Sequence, residues 1–295
     1  MKQRSFSLAV LGGDRRQISM IEALRERGFD VRAWGLPPDC ALSECWADAL
    51  NGCDAVVLPL PFSFDGVHVN TTPADALRLD TLLSHMPQGL LLGGKLTERF
   101  KAHAAEKDIR CIDYFDSEVL QLKNALPSAE GALSVAMQNL PVTLDGCTAV
   151  VIGFGRIGEL LARKLNALGA DVTVFARRDE VLARAELAHC HTVKLACQSG
   201  VSTLEEIAPS ARVVFNTVPE WVLTRRVLDR ISKRCLLIDL ASAPGGIDLG
   251  AAHELGLQTI WATALPGKYA PESAGIYLAQ TIEAILSKPD ISDRT

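Results

Sequence analysis

Short runs of apolar residues alternate along the chain with longer segments in which apolar positions recur every three or four residues. In the first part of the chain the short runs predict five strands, at residues 6–11, 30–34, 55–58, 89–92 and 109–112. The periodic segments predict helices near residues 16–27, 74–85 and 98–107. Such alternation is typical of βαβ units, so the predicted fold class is α/β with mainly parallel sheets.

A second series of six strands is predicted at residues 147–152, 171–175, 192–195, 212–216, 235–239 and 258–261. Residues 116–140 have a helical pattern and are predicted to connect the two series. We therefore expect two doubly wound parallel-sheet, Rossmann-like domains with an interdomain cleft. Residues 1–125 would form a flavodoxin-like or Rossmann-like substrate domain, and residues 126–295 a dinucleotide-binding Rossmann domain. The amphipathic segment 271–286 could pack on either domain.

A glycine-rich fingerprint follows the first strand of the second series. The strand 149–152 leads into G-x-G-x-x-G, then a helical segment, then the strand 171–175. This context is that of a dinucleotide site, in which backbone amides at the helix start hold the pyrophosphate. The predicted cofactor-binding residues here are Gly153, Phe154, Gly155, Arg156, Ile157 and Gly158.

The residues at the end of the next strand determine whether such a site prefers NAD or NADP, and an acidic residue there would favour NAD. Here the chain has Ala176, Arg177 and Arg178. Two guanidinium groups can hold a 2′-phosphate by forked hydrogen bonds, so we expect NADP(H) to be preferred. Because Asp179 or Glu180 could still reach a ribose, NAD(H) remains an alternative.

Loops after other strands supply further candidates, because ligands of parallel sheets bind at the carboxyl ends of the strands. Thr217, Val218, Pro219 and Ala241 are expected to contact the cofactor. The expected substrate-binding residues pair a first-domain turn with loops on the opposite wall, since forked or multiple donors suit carboxylates. They are Gly13, Asp14 and Arg16, opposite Ser242, Gly245, Gly246 and Lys268.

Composition and charge narrow the function classes. With 48% hydrophobic and 22% charged residues the chain has ordinary soluble composition. Thirty Lys+Arg against 35 Asp+Glu leave a net charge of −5, which argues against nucleic acid as a partner. No apolar run approaches the length of a membrane span, and the charged residues 14–16 interrupt the apolar start. We therefore expect a cytoplasmic protein.

The eight cysteines lack the spacing of a metal site. They stand at positions 40, 45, 53, 111, 147, 190, 197 and 235, with no Cys-x-x-Cys pair. Cys190 lies between His189 and His191, but side chains of adjacent residues usually diverge rather than converge on one ion. We expect reduced thiols and no metal.

Several segments resemble the A-subunit family of dipicolinate synthase over nearly the whole chain. They are AVLGGDRRQ at 9–17, NALPSAEGA at 124–132, GFGRIG at 153–158, FNTVP at 215–219, IDLASAPGGID at 238–248 and LPGKYAPESAG at 265–275. The resemblance implies an NADP(H)- or NAD(H)-dependent oxidoreductase that converts dihydrodipicolinate to dipicolinate, pyridine-2,6-dicarboxylate. It also implies a hetero-oligomer in which the partner is a flavoprotein-like B subunit. The implied setting is sporulation, on a branch of the lysine pathway in the mother cell; a homodimer is a further expectation.

The expected reaction needs a base for the departing proton. His68, Lys95 and Glu130 are the catalytic candidates. Two alternatives remain open: a non-catalytic NADP-binding regulatory subunit, and a 2-hydroxyacid-dehydrogenase-like enzyme. The latter predicts a late catalytic histidine on a loop and an arginine after the strand 235–239. The chain instead has Ala241 and Ser242 there, and its late histidine, His253, lies in a helical segment.

Overall fold

The chain folds into two parallel α/β units. The structure is a computed structural model that describes residues 6–37, 45–71, 77–86, 89–195 and 210–288. The first unit comprises the chain up to Asn124 together with the segment from Pro266 onward, and the second unit comprises Ala125–Leu265. Each unit has its own sheet and its own core.

The first unit contains a five-stranded parallel sheet. Its strands are Ser7–Leu11 (β1), Asp30–Trp34 (β2), Ala55–Val57 (β3), Gly89–Gly93 (β4) and Ile109–Asp113 (β5). The strand order is β2-β1-β3-β4-β5, with every neighbouring pair parallel. Because the chain turns to opposite sides of β1 for β2 and β3, the switch point of this flavodoxin-like order lies between β1 and β3.

Helices cover both faces of this sheet. They are Arg15–Glu26 (α1), Trp46–Leu50 (α2), Leu79–His85 (α3) and Glu98–Ala105 (α4), with a short 3₁₀ turn at Tyr114–Asp116. Leu8 and Val10 of β1 pack in one core cluster and Ala9 and Leu11 in another, so the strand is buried on both faces. α2 was not predicted, because five residues are too few to show a helical period. The predicted helix 74–85 begins at Leu79, and part of its predicted range lies outside the described residues.

One long helix, Glu118–Asn139 (α5), leads from the first unit into the second. The second unit then contains a six-stranded parallel sheet. Its strands are Thr148–Ile152 (β6), Asp171–Ala176 (β7), His191–Lys194 (β8), Val213–Asn216 (β9), Leu236–Asp239 (β10) and Gln258–Trp261 (β11). The order β11-β10-β9-β6-β7-β8 is that of a complete dinucleotide-binding sheet.

The helices of the second unit follow its strands. They are Arg156–Ala167 (α6), Asp179–Leu187 (α7), Arg225–Leu228 (α8) and Leu249–Glu254 (α9). Alternate residues of β6 again pack on opposite faces, Ala149 and Val151 in one cluster and Val150 and Ile152 in the other. The prediction of two doubly wound α/β domains is confirmed.

The two C-terminal helices are Leu265–Tyr269 (α10) and Pro271–Leu286 (α11). Leu278 and Ile282 of α11 are buried in the same cluster as Met20 and Leu24 of α1. A Cβ added to Gly275 would lie 2.4 Å from the carbonyl oxygen of Arg16, so the two helices approach closely. The second unit therefore ends at Leu265 rather than at residue 295, and the last helix belongs to the first unit.

No helix among the described residues is long and apolar enough to cross a membrane. Within the same ranges no three or more His, Cys, Asp or Glu residues come together in an arrangement that could hold a metal ion. The described cysteines are free thiols, and Cys40 and Cys197 lie outside the described residues.

Candidate functional site

The glycine-rich turn after β6 is held tightly against its surroundings. Gly153 has a φ of 91°, and its N–H donates to the carbonyl of Phe175 at 2.8 Å. A Cβ on Gly153 would lie 2.4 Å from Thr217 Oγ1, and a Cβ on Gly158 would lie 2.2 Å from the carbonyl oxygen of Gly153. The first and third glycines of the fingerprint are therefore demanded by close packing, as in a dinucleotide-binding turn.

Gly155 differs from these two glycines. It is exposed, it lies immediately before α6, and a Cβ added to it would meet no atom within 4 Å. Neither its φ of −83° nor its packing requires glycine. The open space beside it lies at the amino end of a helix of 12 residues, where backbone amides favour an anion. A side chain here would fill the space through which a pyrophosphate approaches, so the turn fits a dinucleotide.

The two arginines after β7 are exposed and ion-paired. Both guanidinium nitrogens Nη1 and Nη2 of Arg177 donate to the two carboxylate oxygens of Glu220, each at 2.8 Å. Arg178 pairs with Glu180 at 3.1 Å, and Asp179 pairs with Lys194 at 2.7 Å. Glu220 was not among the predicted site residues, because it lies 43 positions from Arg177 in the sequence.

Two buried polar side chains join the ends of β9 and β10. Asn216 is fully buried and Asp239 is 1% exposed. The Asn216 side-chain amide donates to Asp239 Oδ1 at 2.8 Å and to the carbonyl of Val218 at 2.9 Å. The backbone N–H groups of Ala241 and Gly246 donate to Asp239 at 3.0 and 2.8 Å. This network, which sequence reasoning missed, shapes the loops after both strands; a polar residue at the end of an apolar strand was the available signal.

Packing of the loop after β10 explains why two of the predicted substrate-binding residues are glycines. Gly245 has a φ of 86°, and a Cβ there would lie 2.8 Å from Asp239 Oδ2. A Cβ on Gly246 would lie 2.2 Å from Asn216 Nδ2. Ser242 is exposed, and the carbonyl of Ala241 accepts a hydrogen bond from the Trp261 indole at 3.0 Å. The two glycines are needed for packing, and contact of this loop with a substrate stays a prediction.

The backbone N–H groups of the turn after β1 already donate to other groups of the protein. Gly13, with a φ of 114°, donates its N–H to the carbonyl of Asn70 at 2.8 Å. The Asp14 N–H donates to Gln17 Oε1 at 2.8 Å, and the Arg16 N–H donates to Asp14 Oδ1 at 3.0 Å. The bond from the Asp14 N–H to Gln17 is one half of a capping box at the start of α1, in which the Asp14 side chain also accepts the backbone N–H of Gln17. A carboxylate ligand that binds these amides would have to displace their protein partners.

The Arg16 side chain is buried, with 6% of the residue exposed. Its Nη2 donates to the carbonyl of Leu60 at 2.6 Å and to Asp14 Oδ2 at 2.9 Å, and its Nε also bonds the Asp14 carboxylate. One carboxylate therefore already lies on this guanidinium. The Asp14 side chain is itself 42% exposed, so solvent reaches this pair on the side of its carboxylate.

The two segments GGDRRQ and LPGKYAPESAG meet within the first unit. A Cβ on Gly267 would lie 2.6 Å from Asp14 Oδ2 and 3.1 Å from Arg16 Nε. Lys268, next to it, is exposed. The expectation that Lys268 lies with Ser242 and Gly245 opposite Arg16 is therefore corrected. Lys268 belongs to the same unit as Arg16, because α11 packs on α1 and carries this loop with it.

The three candidates for a catalytic base have different surroundings. Glu130, on α5, pairs with Lys164 at 2.9 Å. Lys95 has a φ of 59°, and its Nζ lies 5.7 Å from the centroid of the Phe115 ring. His68 lies on the loop after β3, where its Nδ1 is 2.7 Å from Asp65 Oδ2. Only the last arrangement is an imidazole oriented by a carboxylate.

Asp65 is bound from several directions. Its Oδ1 accepts the backbone N–H groups of Val67 and His68, each at 2.8 Å. The side-chain hydrogen bond with His68, together with these backbone bonds, holds the pKa of the Asp65 carboxyl well below its ordinary value. Since the ionised carboxylate accepts from Nδ1, the other ring nitrogen of His68, Nε2, is left as the proton acceptor.

Comparison with known proteins identifies both units. Residues 7–115 match the family described as the N-terminal domain of the A subunit of dipicolinate synthase. The chain is 29% identical over 293 residues to the dipicolinate synthase A subunit of Bacillus subtilis (strain 168), covering 95% of this chain and 96% of that protein. The chain is therefore similar to dipicolinate synthase A subunits over nearly its whole length.

Two solved structures of dipicolinate synthase A subunits have the same fold. The structure from Bacillus halodurans has a TM-score of 0.82 at 26% identity, covering 96% of this chain and 98% of that chain. The structure from Bacillus subtilis has a TM-score of 0.81 at 28% identity, covering 99% of both chains. Both structures therefore share the two-unit architecture of this chain.

Residues 116–243 match the NAD binding domain of D-isomer specific 2-hydroxyacid dehydrogenases. The second unit is therefore a dinucleotide-binding domain of the type found in oxidoreductases. Its fold is suited to a nicotinamide cofactor. Its likeness to the hydroxyacid dehydrogenases does not extend to the residues expected of their active site. His253 lies within α9, and β10 leads into Ala241 and Ser242 rather than into an arginine.

Proposed function

We propose that this chain is the A subunit of a dipicolinate synthase and that it oxidises dihydrodipicolinate to dipicolinate with a nicotinamide nucleotide. The observation that carries the proposal is the similarity to the Bacillus subtilis protein over 95% of this chain. It includes the first unit and not only the widespread dinucleotide-binding domain. The first unit would select the substrate, because domains like the second unit occur in many different oxidoreductases.

The reaction removes one hydride and one proton from the dihydropyridine ring. A ring carbon–hydrogen bond breaks with its electron pair, and a proton leaves a neighbouring ring position as the ring becomes aromatic. The bound nicotinamide ring supplies the hydride acceptor, so that NAD(P)⁺ becomes NAD(P)H. The chain's own residues have to hold the nucleotide, orient two carboxylates and accept the proton.

The second unit supplies the nucleotide cradle. Gly153 and Gly158 pack the turn against Thr217 and its own backbone, and Gly155 leaves its outer side open. The amino end of α6 offers backbone amides to the pyrophosphate. Phe154 is buried beneath the turn, whereas Arg156 is exposed beside it. Arg177 and Arg178 favour a 2′-phosphate, so we propose that NADP(H) is preferred and that NAD(H) is also accepted.

The first unit supplies the proton acceptor and a carboxylate-binding group. The loop that carries His68 follows β3, and the turn with Arg16 follows β1, on the two sides of the switch point of this sheet. Asp65 orients His68 so that Nε2 can take the ring proton. We propose that a substrate carboxylate binds at the turn of Gly13, Asp14 and Arg16 by displacing Asp14 from the Arg16 guanidinium, where the Asp14 carboxylate now lies.

The partner and setting belong to the same proposal. The name of the similar Bacillus subtilis protein denotes one component of a larger enzyme. We propose that this chain works with a flavoprotein-like B subunit, in the cytoplasm of the mother cell of a sporulating bacterium, on a branch of the lysine pathway. A homodimer of this chain is compatible with that assembly.

The test is anaerobic turnover by the purified chain. It is incubated with freshly prepared dihydrodipicolinate and NADP⁺, with and without the B subunit, and dipicolinate and NADPH are counted from their absorbance. We expect one NADPH for each dipicolinate, and no product above background without nucleotide or with Gly155→Val. Dipicolinate formed at the same rate by the isolated B subunit would instead make this chain a non-catalytic, NADP-binding regulatory component.

A further inference from the structure

The ion pair between Arg177 and Glu220 crosses the dinucleotide fingerprint. Arg177 follows β7 and Glu220 follows β9, and the strand order places these two strands on either side of β6. β6 leads directly into the turn that begins at Gly153. With about 4.8 Å between neighbouring strands, the pair spans roughly two strand spacings over the end of β6. It therefore lies where a bound nucleotide would place its adenosine half.

The backbone that carries Glu220 is held in place by buried groups. The Asn216 side chain donates to the carbonyl of Val218 at 2.9 Å, and the backbone N–H groups of Val222 and Leu223 donate to the carbonyl of Gly246 at 3.1 and 3.0 Å. A Cβ added to Gly246 would lie 2.8 Å from the carbonyl oxygen of Glu220. The backbone on both sides of Glu220 is therefore held by hydrogen bonds, and the Glu220 side chain extends from this fixed backbone to Arg177.

The geometry of the pair occupies the donors that a 2′-phosphate needs. Arg177 uses both terminal nitrogens, at 2.8 Å each, to bind the two oxygens of one carboxylate. A phosphate dianion binds arginine by the same fork of two parallel hydrogen bonds. The fork of Nη1 and Nη2 holds only one of these acceptors, so a 2′-phosphate that binds through this fork displaces Glu220. A nucleotide with a free ribose hydroxyl does not.

We infer that Glu220 sets the nucleotide selectivity of this chain by competing with the 2′-phosphate for Arg177. The inference rests on the proposed function, in that the second unit binds a nicotinamide dinucleotide. Glu220 lowers the preference for NADP(H) over NAD(H) that the two arginines would otherwise give. The competition is weaker at Arg178, because its contact with Glu180 at 3.1 Å is made by Nη1 and not by a fork of two nitrogens.

The competition is modest in size. The side chains of Arg177 and Glu220 are 53% and 58% exposed, and exposed ion pairs contribute little to stability. Displacing the carboxylate is therefore easy, but a displaced carboxylate still stands near the phosphate and repels it. Removing the charge of Glu220 should tighten NADPH binding by about three- to tenfold. NADH binding should change by less than about twofold, since no group of NADH takes over that fork.

The test is calorimetric titration of the full chain with NADPH and with NADH. Glu220→Gln keeps the size of the side chain and removes its charge. Glu254→Gln is the matched control, because it removes the charge of Glu254 from another exposed arginine pair of the second unit, the pair with Arg225. We expect the ratio of NADPH to NADH affinity to rise by about three- to tenfold in Glu220→Gln and by less than about twofold in Glu254→Gln. In an Arg177→Ala background, Glu220→Gln should no longer tighten NADPH binding.

Each of the other outcomes would overturn a specific part of the inference or of the proposed function. Equal changes for both nucleotides, or no change for NADPH, would overturn the competition while leaving the proposed oxidoreductase intact. The same gain in the Arg177→Ala background would show that Glu220 acts on the phosphate without Arg177 and would also overturn the inference. Failure of the unaltered chain to bind either nucleotide would overturn the inference together with the proposed function.

Discussion

Asn216 and Asp239 are joined by a buried hydrogen bond of 2.8 Å that links the carboxyl ends of two neighbouring strands, β9 and β10. Asp239 also accepts two backbone N–H groups from the loop that follows it, and Asn216 donates to the loop that follows β9. The loops after both strands are therefore tied to one polar pair. The shape of the nucleotide site depends on this pair, although neither side chain need touch a ligand.

Replacing Asp239 with alanine should lower the free energy of unfolding by about 3 kcal/mol. Three buried donors, on Asn216, Ala241 and Gly246, lose their acceptor, and each unsatisfied donor costs about 1–3 kcal/mol. Asp229→Ala, at an exposed position of the same unit, should change stability by less than about 0.5 kcal/mol. Urea unfolding followed by circular dichroism measures both. Equal losses in the two variants would contradict the role given to Asp239.

Gly155→Val should abolish or strongly weaken nucleotide binding while leaving the fold intact. The Cβ direction at Gly155 meets no protein atom within 4 Å, so the valine side chain fits the protein but fills the ligand's path. We expect NADPH affinity to fall by more than about tenfold. The matched control is Gly250→Val, because Gly250 is also exposed and its Cβ direction meets only Asp248 at 3.6 Å. Unchanged affinity in Gly155→Val, measured by calorimetry, would remove the fingerprint from the site.

His68→Ala should reduce kcat by about 100-fold with little change in KM, because general bases contribute mainly to the chemical step. Added imidazole should restore part of the activity. Since the pKa of Asp65 is lowered, its carboxyl stays ionised throughout the neutral range and keeps orienting the ring. Asp65→Asn should therefore lower kcat as well, by a smaller factor.

The matched control for this prediction is His103→Ala. His103 also lies near two carboxylates, at 3.1 Å from Glu106 and 3.4 Å from Asp80, but it is on α4, away from the turn after β1. Dipicolinate formation under single-turnover conditions measures the chemical step. Activity of His68→Ala within about twofold of the unaltered chain would leave Lys95 or Glu130 as the remaining candidates.

Thiols that are buried or half-buried should resist alkylation at neutral pH. Burial raises the pKa of Cys111 to about 11 and that of Cys235 to about 12, so only a small fraction of either thiol is the reactive thiolate at pH 8. Cys45 is exposed and should react with iodoacetamide first. Raising the pH from about 8 to about 10 should speed the labelling of Cys111 by up to about 100-fold, as its thiolate fraction grows.

Mass spectrometry after timed labelling assigns each modified cysteine. In guanidinium chloride, burial is lost and the three cysteines should react at similar rates. Labelling of Cys235 as fast as Cys45 in the folded protein would show that the core around β10 opens more often than its burial indicates.

Local pattern was enough to predict the strands and the fingerprint. The apolar runs of a parallel sheet are continuous because both faces are buried, and this makes β1 and β6 visible without any tertiary information. The turn from Gly153 to Gly158 was predictable from the spacing of its glycines between a strand and a helix, although Gly153 packs against the distant Thr217. Short elements such as α2 carry no period and were missed.

The sequence by itself determined the α/β class, the two parallel sheets and the dinucleotide turn, because the patterns that predict them are formed by residues that are neighbours along the chain. Only the tertiary structure decided that α11 and Lys268 belong with Arg16 in the first unit, that the Arg16 guanidinium is buried against the carbonyl of Leu60, and that Glu220 occupies Arg177. Each of these contacts joins groups that are far apart in the sequence and are brought together by the fold. A hydrophobic pattern records which side of an element is buried, but it does not record which distant partner meets it.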